Sequence, residues 1–595
     1  MRVVATAGHV DHGKSTLVRA LTGMEPDRWE EERRRGLTLD LGFAWTRLPD
    51  GEDVAFVDVP GHERLVANML AGVGPVPAVM FVVAADQGWQ RQSDEHLSVL
   101  DALDVRHGLL VVTRCDLAAP DAAAAVRDDA LARLAATSLG EVDAVMASGA
   151  TGEGLDDLRR ALVDLTAALP PPDTRADVRL WIDRAFTVQG RGTVVTGTLR
   201  AGAIRVGDEL ALVDGTRVTV RGLEALKRTR EQVGAVARVA VNLRGAPETL
   251  RRGDVLLTPG RWLTTDLIDV RLRGDPARDL PRHLTLHAGS AAVPVVVRPL
   301  GADTARLSLA RPLALRVGDI ALLRDPGLHR VPAGITVLDV RPPRFDRRGA
   351  AAARARELAA LPGVPDGAAE LRRRGLIRRA DLLAMGLDVP SAPVAGDWLA
   401  DPDHWADLHR RLVKAVEEHT ARHPTDPGLP AEAARRALGL PDRALVDALA
   451  RDGVRRHGGK LYGAATRPRL PPHIQRAVDA IRRDLAEAPF RAPEAGRLAE
   501  LGLTPRLLSA AAAAGALRKI SDEIVLLPDC EARAAAVLAR LPQPFTLSQA
   551  RQALGTTRRV AVPLLEHLDR RGYTVRVDET HRRCLRRHDA ARPGA

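Results

Sequence analysis

The sequence predicts a multidomain chain that is α/β first, β-rich next and mostly helical last. Residues 1–169 alternate β-branched apolar runs with amphipathic stretches. From Val178 to about Arg341 the runs become short, alternating and punctuated by glycine. After Pro342-Pro343 the chain turns helical and rich in alanine and arginine. At 595 residues it is too long for one core, since domains run to about 150 residues each. With 45% hydrophobic and 27% charged residues it reads as ordinary globular protein, neither disordered nor fibrous. No apolar run reaches the ~18 residues of a membrane span, and the opening Met1–Gly8 lacks the pattern of a signal peptide, so no membrane partner is expected. Cys115, Cys530 and Cys584 lie too far apart for a Cys-x-x-Cys zinc site and too few for a disulfide framework; a cytoplasmic location is expected.

In the first segment, Val54–Asp58, Val79–Ala84 and Leu109–Thr113 read as strands, and Ser15–Leu21, Asp94–Leu103 and Leu155–Leu169 as helices. Strands alternating with helices imply βαβ units and a parallel sheet covered on both faces. Pro170-Pro-Pro172 reads as a linker. Thr193–Thr198, Gly207–Leu212 and Arg217–Val220, with a turn at Gly260 and new strands from Leu267, predict two consecutive β-barrels. Beyond them a weak repeat begins Leu438-Gly439, Leu501-Gly502 and Leu554-Gly555. Each copy reads as helix, tight turn, helix and two-stranded ribbon, the winged form of a helix-turn-helix. Leu371–Asp388 fits a degraded further copy. The expected boundaries are 1–169, barrels 176–262 and 264–342, and winged-helix modules 345–400, 401–468, 471–528 and 529–595.

Gly8-His-Val-Asp-His-Gly-Lys-Ser15 matches the phosphate loop G-x-x-x-x-G-K-[ST], placed between a strand and a helix as that motif requires. Gly8, Asp11, His12, Gly13, Lys14, Ser15 and Thr16 therefore form the expected phosphate cradle. Backbone N–H groups and the helix N-terminus hold phosphate oxygens, Lys14 bridges the outer phosphates, and Ser15 ligates Mg²⁺. Lys14 is the only lysine before Lys227 in an arginine-rich sequence, which marks a position where guanidinium does not serve. His9 and His12 invite a metal reading, but their place inside the loop favours the phosphate role. Asp58-Val-Pro-Gly61 supplies a second carboxylate for Mg²⁺ and a glycine for the γ-phosphate. Thr113-Arg-Cys-Asp116 ends a strand at the sheet's carboxyl edge, where open α/β folds bind ligands. Asp116 can accept from both guanine N1–H and N2–H, a donor pair adenine lacks, so GTP and GDP are the expected cofactors. Ser148-Gly-Ala fits the loop that covers the base from the other side.

With Arg35-Gly-Leu-Thr-Leu39 and Asp58-Val-Pro-Gly-His-Glu63, these motifs resemble the translational GTPases of the elongation factor Tu class. The fold class is thus an α/β P-loop GTPase domain, two β-barrels and an all-α-dominated array of winged-helix modules. The resemblance implies that Thr38 closes over Mg²⁺ and that His62 positions the attacking water, making Lys14, Thr38 and His62 the catalytic set. One departure is Thr113-Arg114, where the class reads Asn-Lys, which weakens one hydrogen bond to the base. Within the class, winged helices after two barrels are similar to the selenocysteine-specific elongation factor family. That resemblance, supported by Arg324-Asp-Pro and Gly334–Pro343, covers essentially the whole chain. It implies selenocysteinyl-tRNA, a messenger hairpin downstream of a recoded UGA codon and the ribosome as partners of a monomeric factor. It places an aminoacyl pocket at Asp183, Arg184 and Arg238, two cations for an anionic selenolate and an acid to orient the aminoacyl end. Read from spacing alone, the same three residues fit surface ion pairs on a barrel worth ~0–1 kcal/mol each.

The net charge is +11, and the last 55 residues hold eleven arginines against five acids. In the last module Thr546–Leu554 reads as the first helix and Thr557–Arg571 as the second, buried through Val562, Leu564, Leu565 and Leu568. Arg551, Arg558 and Arg559 gather near the turn, and Arg571, Arg576, Arg582 and Arg583 near the wing, as an expected polyanion surface. Duplex RNA has a groove too deep and narrow for a recognition helix, so RNA is read through backbone shape and unstacked bases. Two alternatives remain open at this level: a GTP-switched DNA-binding regulator, and another tRNA-binding GTPase of the elongation factor Tu or initiation type.

Overall fold

The computed structural model describes residues 1–25, 41–59, 76–188, 192–328, 330–424, 426–463, 470 and 472–585. The chain forms two units, Met1–Glu370 with Ile377–Ser391, and Leu371–Leu376 with Ala392–Ala595.

The first unit opens with a six-stranded sheet ordered β2-β3-β1-β4-β5-β6. Its strands are β1 (Arg2–Ala7), β2 (Gly42–Arg47), β3 (Asp53–Asp58), β4 (Ala78–Ala84), β5 (Gly108–Thr113) and β6 (Asp143–Met146). Four described helices accompany them, α1 (Lys14–Thr22), α2 (Arg91–Ala102), α3 (Pro120–Ala135) and α4 (Leu155–Ala168). β4 is buried along its whole length, which explains its unbroken apolar sequence. The sheet departs from the all-parallel expectation at one edge, where β2 runs antiparallel to β3. The connection is a tight turn in which Leu48 N–H donates to the Glu52 carbonyl at 2.9 Å, too short for a parallel crossover.

The next β-rich segment has one hydrogen-bonded path of strands, Arg179–Trp181, Val255–Leu257, Glu209–Ala211, Arg217–Ala225, Ala237–Arg244, Gly192–Leu199 and Arg184–Val188. One end strand, Arg179–Trp181, comes back against the penultimate strand at Gly197, where a Cβ would lie 2.4 Å from the Trp181 carbonyl oxygen. The path therefore curls around a single core that includes Leu180, Val195, Val241 and Leu256. The following segment is a closed barrel of six strands, from Thr264–Gly274 to Arg330–Asp339.

Helix Ala350–Ala359 is fastened to this closed barrel by buried charge. Arg354 donates to Asp269 at 2.8 Å and to Asp339 at 2.6 Å, while Arg306 grips Asp269 at 2.7 and 3.0 Å. Buried charges are tolerated only when paired in this way. Arg354→Leu withdraws a cation from two buried carboxylates and is expected to cost about 3 kcal/mol, read as a lower denaturation midpoint of the full chain. The 345–400 segment is thus shared between the two units.

The closed barrel also holds α2. Arg273 donates to the Asp101 and Ala102 carbonyls at 2.6 and 3.1 Å and to the Asp104 carboxylate at 2.7 Å, capping the helix C-terminus. Gly334 allows this approach, because a Cβ there would lie 2.2 Å from the Ala102 oxygen.

In the second unit, helices Pro402–Arg422, Ala431–Leu438 and Arg443–Leu449 carry a three-stranded sheet with a hairpin wing. The following two modules share one core, running from Ile474 through Leu526 and Phe545 to Leu568. The last has helices Cys530–Leu538, Leu547–Ala553 and Arg558–Arg570 and wing strands Thr574–Arg576 and His581–Cys584. Thr546 and Gln549 form a reciprocal capping box at the start of Leu547–Ala553. The buried face of Arg558–Arg570 is Val560, Ala561, Leu564, Leu565 and Leu568, so Val562, expected in the core, is only half-buried. No helix among the described residues is long and apolar enough to cross a membrane.

Candidate functional site

The phosphate loop joins β1 to α1 at the carboxyl edge of the sheet. Gly8 and Gly13 have φ of 127° and 82°, conformations an L side chain rarely adopts. Helix α2 clamps the loop from outside: Gly8 N–H donates to His96 Nδ1 at 3.0 Å and Val10 N–H to Gln92 Oε1 at 3.1 Å. Burial pushes the His96 pKa down to about 3, with Lys14 and His9 adding to the effect, so the ring is neutral and free to accept. Burial likewise lowers His12 to about 4. Neither Gln92 nor His96 was signalled by the sequence, because their role arises only once α2 packs against a loop more than eighty residues away.

Lys14 is buried and donates to the Gly8 and His9 carbonyls at 3.0 and 2.7 Å. Burial pushes its pKa down to about 8, against the pull of Asp58 and Asp11. A bound phosphate favours the charged form and restores a higher value. Nucleotide binding therefore takes up a proton above pH 8. Affinity for GDP is expected to be flat below pH 8 and to fall up to tenfold per unit above it, as a fluorescent-nucleotide titration would show.

Asp58 is fully buried and accepts from Ser15 Oγ at 2.6 Å and Thr6 Oγ1 at 2.7 Å. Burial raises its pKa, with the Ser15 and Thr6 hydroxyls and Lys14 opposing. Two hard oxygen donors at hydrogen-bond distance beside the phosphate loop fit the outer-edge coordination of Mg²⁺. Thr38, Gly61 and His62 lie outside the described residues.

The residues expected to read the base sit at the same sheet edge. Asp116 is exposed in the turn Cys115–Leu117 after β5. Ser148, buried after β6, accepts from the Ala150 and Thr151 N–H groups, each at 3.2 Å. Thr113 Oγ1 donates to the His12 carbonyl at 2.6 Å, and the Arg114 guanidinium donates to the Asp11 carbonyl and lies 3.3 Å from Asp86. The pair thus ties the base motif to the phosphate loop. Thr16 lies against Gly149, where a Cβ would be 3.3 Å from the Thr16 backbone carbon.

A second cavity, of about 400 Å³, opens between the first α/β domain and the β-rich segment that follows. Arg184 and Arg238 line it, on the two strands that flank Gly192–Leu199. Arg238 forms a two-pronged ion pair with Asp183, one prong at 2.8 Å, and Asp183 also accepts from Thr196 Oγ1 at 2.7 Å. Asp183 therefore orients Arg238 itself. Arg184 donates to the Leu41 carbonyl at 2.7 Å, and Phe43 of β2 lies 3.9 Å from the Arg238 guanidinium and 5.5 Å from that of Arg184. Phe43 is a lining residue that the sequence did not signal.

In the last module, four of the seven expected arginines are engaged within the fold. Arg559 donates to the Ala492 and Pro493 carbonyls at 3.3 and 3.1 Å, and Arg582 to Asp569 at 2.9 Å. Arg576 closes the wing turn on the Asp578 and Glu579 carbonyls, and Arg571 lies 3.5 Å from Glu531. Arg551, Arg558 and Arg583 are exposed, and their side chains make no hydrogen bond or ion pair among the described residues.

The geometry has relatives. Residues 1–168 match the family model for the elongation factor Tu GTP-binding domain, and residues 536–583 that for the elongation factor SelB winged helix. The selenocysteine-specific elongation factor of Escherichia coli K12 is 31% identical over 97% of this chain and 98% of its own length. The chain belongs to the selenocysteine-specific elongation factor family. The family's Desulfomicrobium baculatum member is 41% identical over 45% of this chain and 43% of its own. A crystal structure of a bacterial selenocysteine-specific elongation factor superposes with a TM-score of 0.77 at 23% identity, covering 98% of this chain and all of that one, which extends the shared fold across both units. The chain is accordingly a guanine-nucleotide-binding translational GTPase.

Proposed function

We propose that this protein, in its GTP state, binds selenocysteinyl-tRNA and delivers it to the ribosome at a recoded UGA codon, while its last module holds a hairpin in the message. The observation that carries this reading is the cavity lined by Arg184 and Arg238, whose paired guanidinium groups suit an anionic side chain. A selenol ionises more readily than a thiol, so at neutral pH selenocysteine is an anion while serine and cysteine are neutral; fixed cations therefore discriminate by charge. Asp183 holds Arg238 in place, so the site is organised before the ligand arrives.

Lys14 grips the outer phosphates, Ser15 and Asp58 would hold Mg²⁺ with Thr38, and Asp116 selects guanine. A bound Mg²⁺ would supply positive charge to neutralise the nucleotide's phosphates. Gly61 contacts the γ-phosphate, and His62 positions the attacking water, a task of alignment more than proton abstraction. Hydrolysis then releases the tRNA. Tethering to the message raises the local concentration of a rare tRNA at one codon. A monomer acting in the cytoplasm suffices for this cycle.

Of the seven expected arginines of the last module, Arg551, Arg558 and Arg583 keep their guanidinium groups available for RNA. Arg558→Ala and Arg583→Ala are expected to weaken hairpin binding about fivefold each and to lower the salt dependence. Arg559→Ala is expected to lower stability instead, since its guanidinium serves two carbonyls of the fold. A gel-shift competition between the hairpin and duplex DNA tests the reading. Preference for the hairpin supports it, and preference for the duplex overturns it.

A further inference from the structure

A cleft of about 690 Å³ lies within the second unit, between the wing hairpin of one winged-helix module and a helix of the next. The hairpin pairs strand Val454–His457 with Lys460–Gly463, turning at Gly458 and Gly459 with φ of 55° and 75°. Arg455 is registered directly opposite Tyr462, and His457 opposite Lys460. Period-2 alternation puts these four side chains on one face, away from the face that carries the buried Leu461. Across the cleft stands helix Pro505–Ala513. Its lining positions, Arg506, Ser509, Ala510 and Ala513, fall on one face by helical spacing.

The chemistry of the two walls is complementary to one kind of ligand. Tyr462 packs on the Gly428 backbone, where a Cβ would lie 2.6 Å from the ring, so the aromatic surface is rigidly placed. Opposite it, two alanines and a serine leave room for a flat group. The one carboxylate on the lining, Asp426, already accepts from Lys460 Nζ at 2.7 Å. Arg456 is drawn away onto Asp447 at 2.8 Å. The Arg455 side chain makes no ion pair or hydrogen bond among the described residues, and Arg506 is 77% exposed with Asp426 no nearer than 3.9 Å. The cleft therefore presents two available guanidinium groups beside an aromatic ring and a flat apolar floor. Phosphates and an unstacked base match that set. A duplex does not, because it hides its base faces and exceeds the cleft.

We propose that this cleft binds unpaired RNA flanking the messenger hairpin, with Arg455 and Arg506 on successive phosphates and one base beside Tyr462. This rests on the reading that the last module holds a hairpin.

The test uses the full chain and three RNAs: the bare hairpin, and the hairpin with about eight unpaired nucleotides on its 5′ or its 3′ side. At least one flank is expected to tighten binding about tenfold. The double variant Arg455→Ser with Arg506→Ser is expected to lose that gain while keeping wild-type affinity for the bare hairpin. The salt dependence of flanked binding should fall by about 1.4 in log–log slope, two single-strand phosphates at ~0.7 each. A flank gain unchanged in the variant overturns the proposal, as does no gain from either flank. Failure of the wild type to bind the bare hairpin would instead count against the hairpin reading. In that event a free octauridine probe still decides the cleft: binding lost in the double variant supports it, and unchanged or absent binding overturns it. An acidic protein that binds the wild type and not the variant, with RNA affinities equal in both, overturns it as well.

Discussion

Gly8→Ala is expected to abolish useful nucleotide binding while leaving the rest of the chain folded. The position has φ of 127°, and a Cβ would lie 2.1 Å from the Val82 carbonyl oxygen. That neighbour is the backbone of a buried central strand, so no side-chain rotation relieves the clash. The loop must move, and with it the Gly8 carbonyl that accepts from Lys14 and the Gly8 N–H that donates to His96. We expect the Kd for GDP to rise at least 100-fold, a loss of about 2.7 kcal/mol, by fluorescent-nucleotide titration. Gly23→Ala is the control. That glycine also has positive φ, but nothing lies within 4 Å of its Cβ position, so the cost is about 1 kcal/mol of stability with affinity unchanged.

Arg238→Met is expected to have two separable effects. It leaves Asp183, whose side chain is 6% exposed, without its cation, and breaking such a pair costs about 3–5 kcal/mol of stability. It also removes one of the two cations of the proposed aminoacyl cavity, so preference for selenocysteinyl-tRNA over seryl-tRNA should collapse by an order of magnitude or more. Adding Asp183→Leu removes the stranded carboxylate. The double variant should regain most of the stability, because replacing both partners of a buried pair is nearly neutral, yet stay unselective. Arg238→Lys keeps the charge but loses the planar fork that meets both Asp183 oxygens, and should fall between. Denaturation midpoints and tRNA affinities measured on the same samples separate the two effects.

Features encoded by consecutive residues were legible in the sequence. The phosphate loop, the strands from Asp53, Ala78 and Gly108, and the capped helix after Thr546 all follow from local pattern and backbone preference. What was not legible arises from contacts between distant segments. The antiparallel direction of edge strand Gly42–Arg47 is set by the tight turn that joins it to the strand from Asp53. Thr113 reads as a weakened base contact until the fold brings its hydroxyl to the His12 carbonyl. Arg559 reads as one more surface cation until its guanidinium reaches the carbonyls of residues 492 and 493. Asp183 was expected to meet the ligand, and the strand pairing gives its carboxylate to Arg238 and Thr196 instead. Phe43 entered the cavity only through packing of its strand beside the following β-rich segment.

In the proposed function a guanine-nucleotide-driven clamp distinguishes an anionic aminoacyl group from a neutral one. The most direct test measures ester hydrolysis of one tRNA, charged with selenocysteine or with serine, in the presence of the GTP-bound protein. Slowed hydrolysis of the selenocysteinyl ester alone is the predicted result. Equal protection of both esters, or of neither, would contradict it.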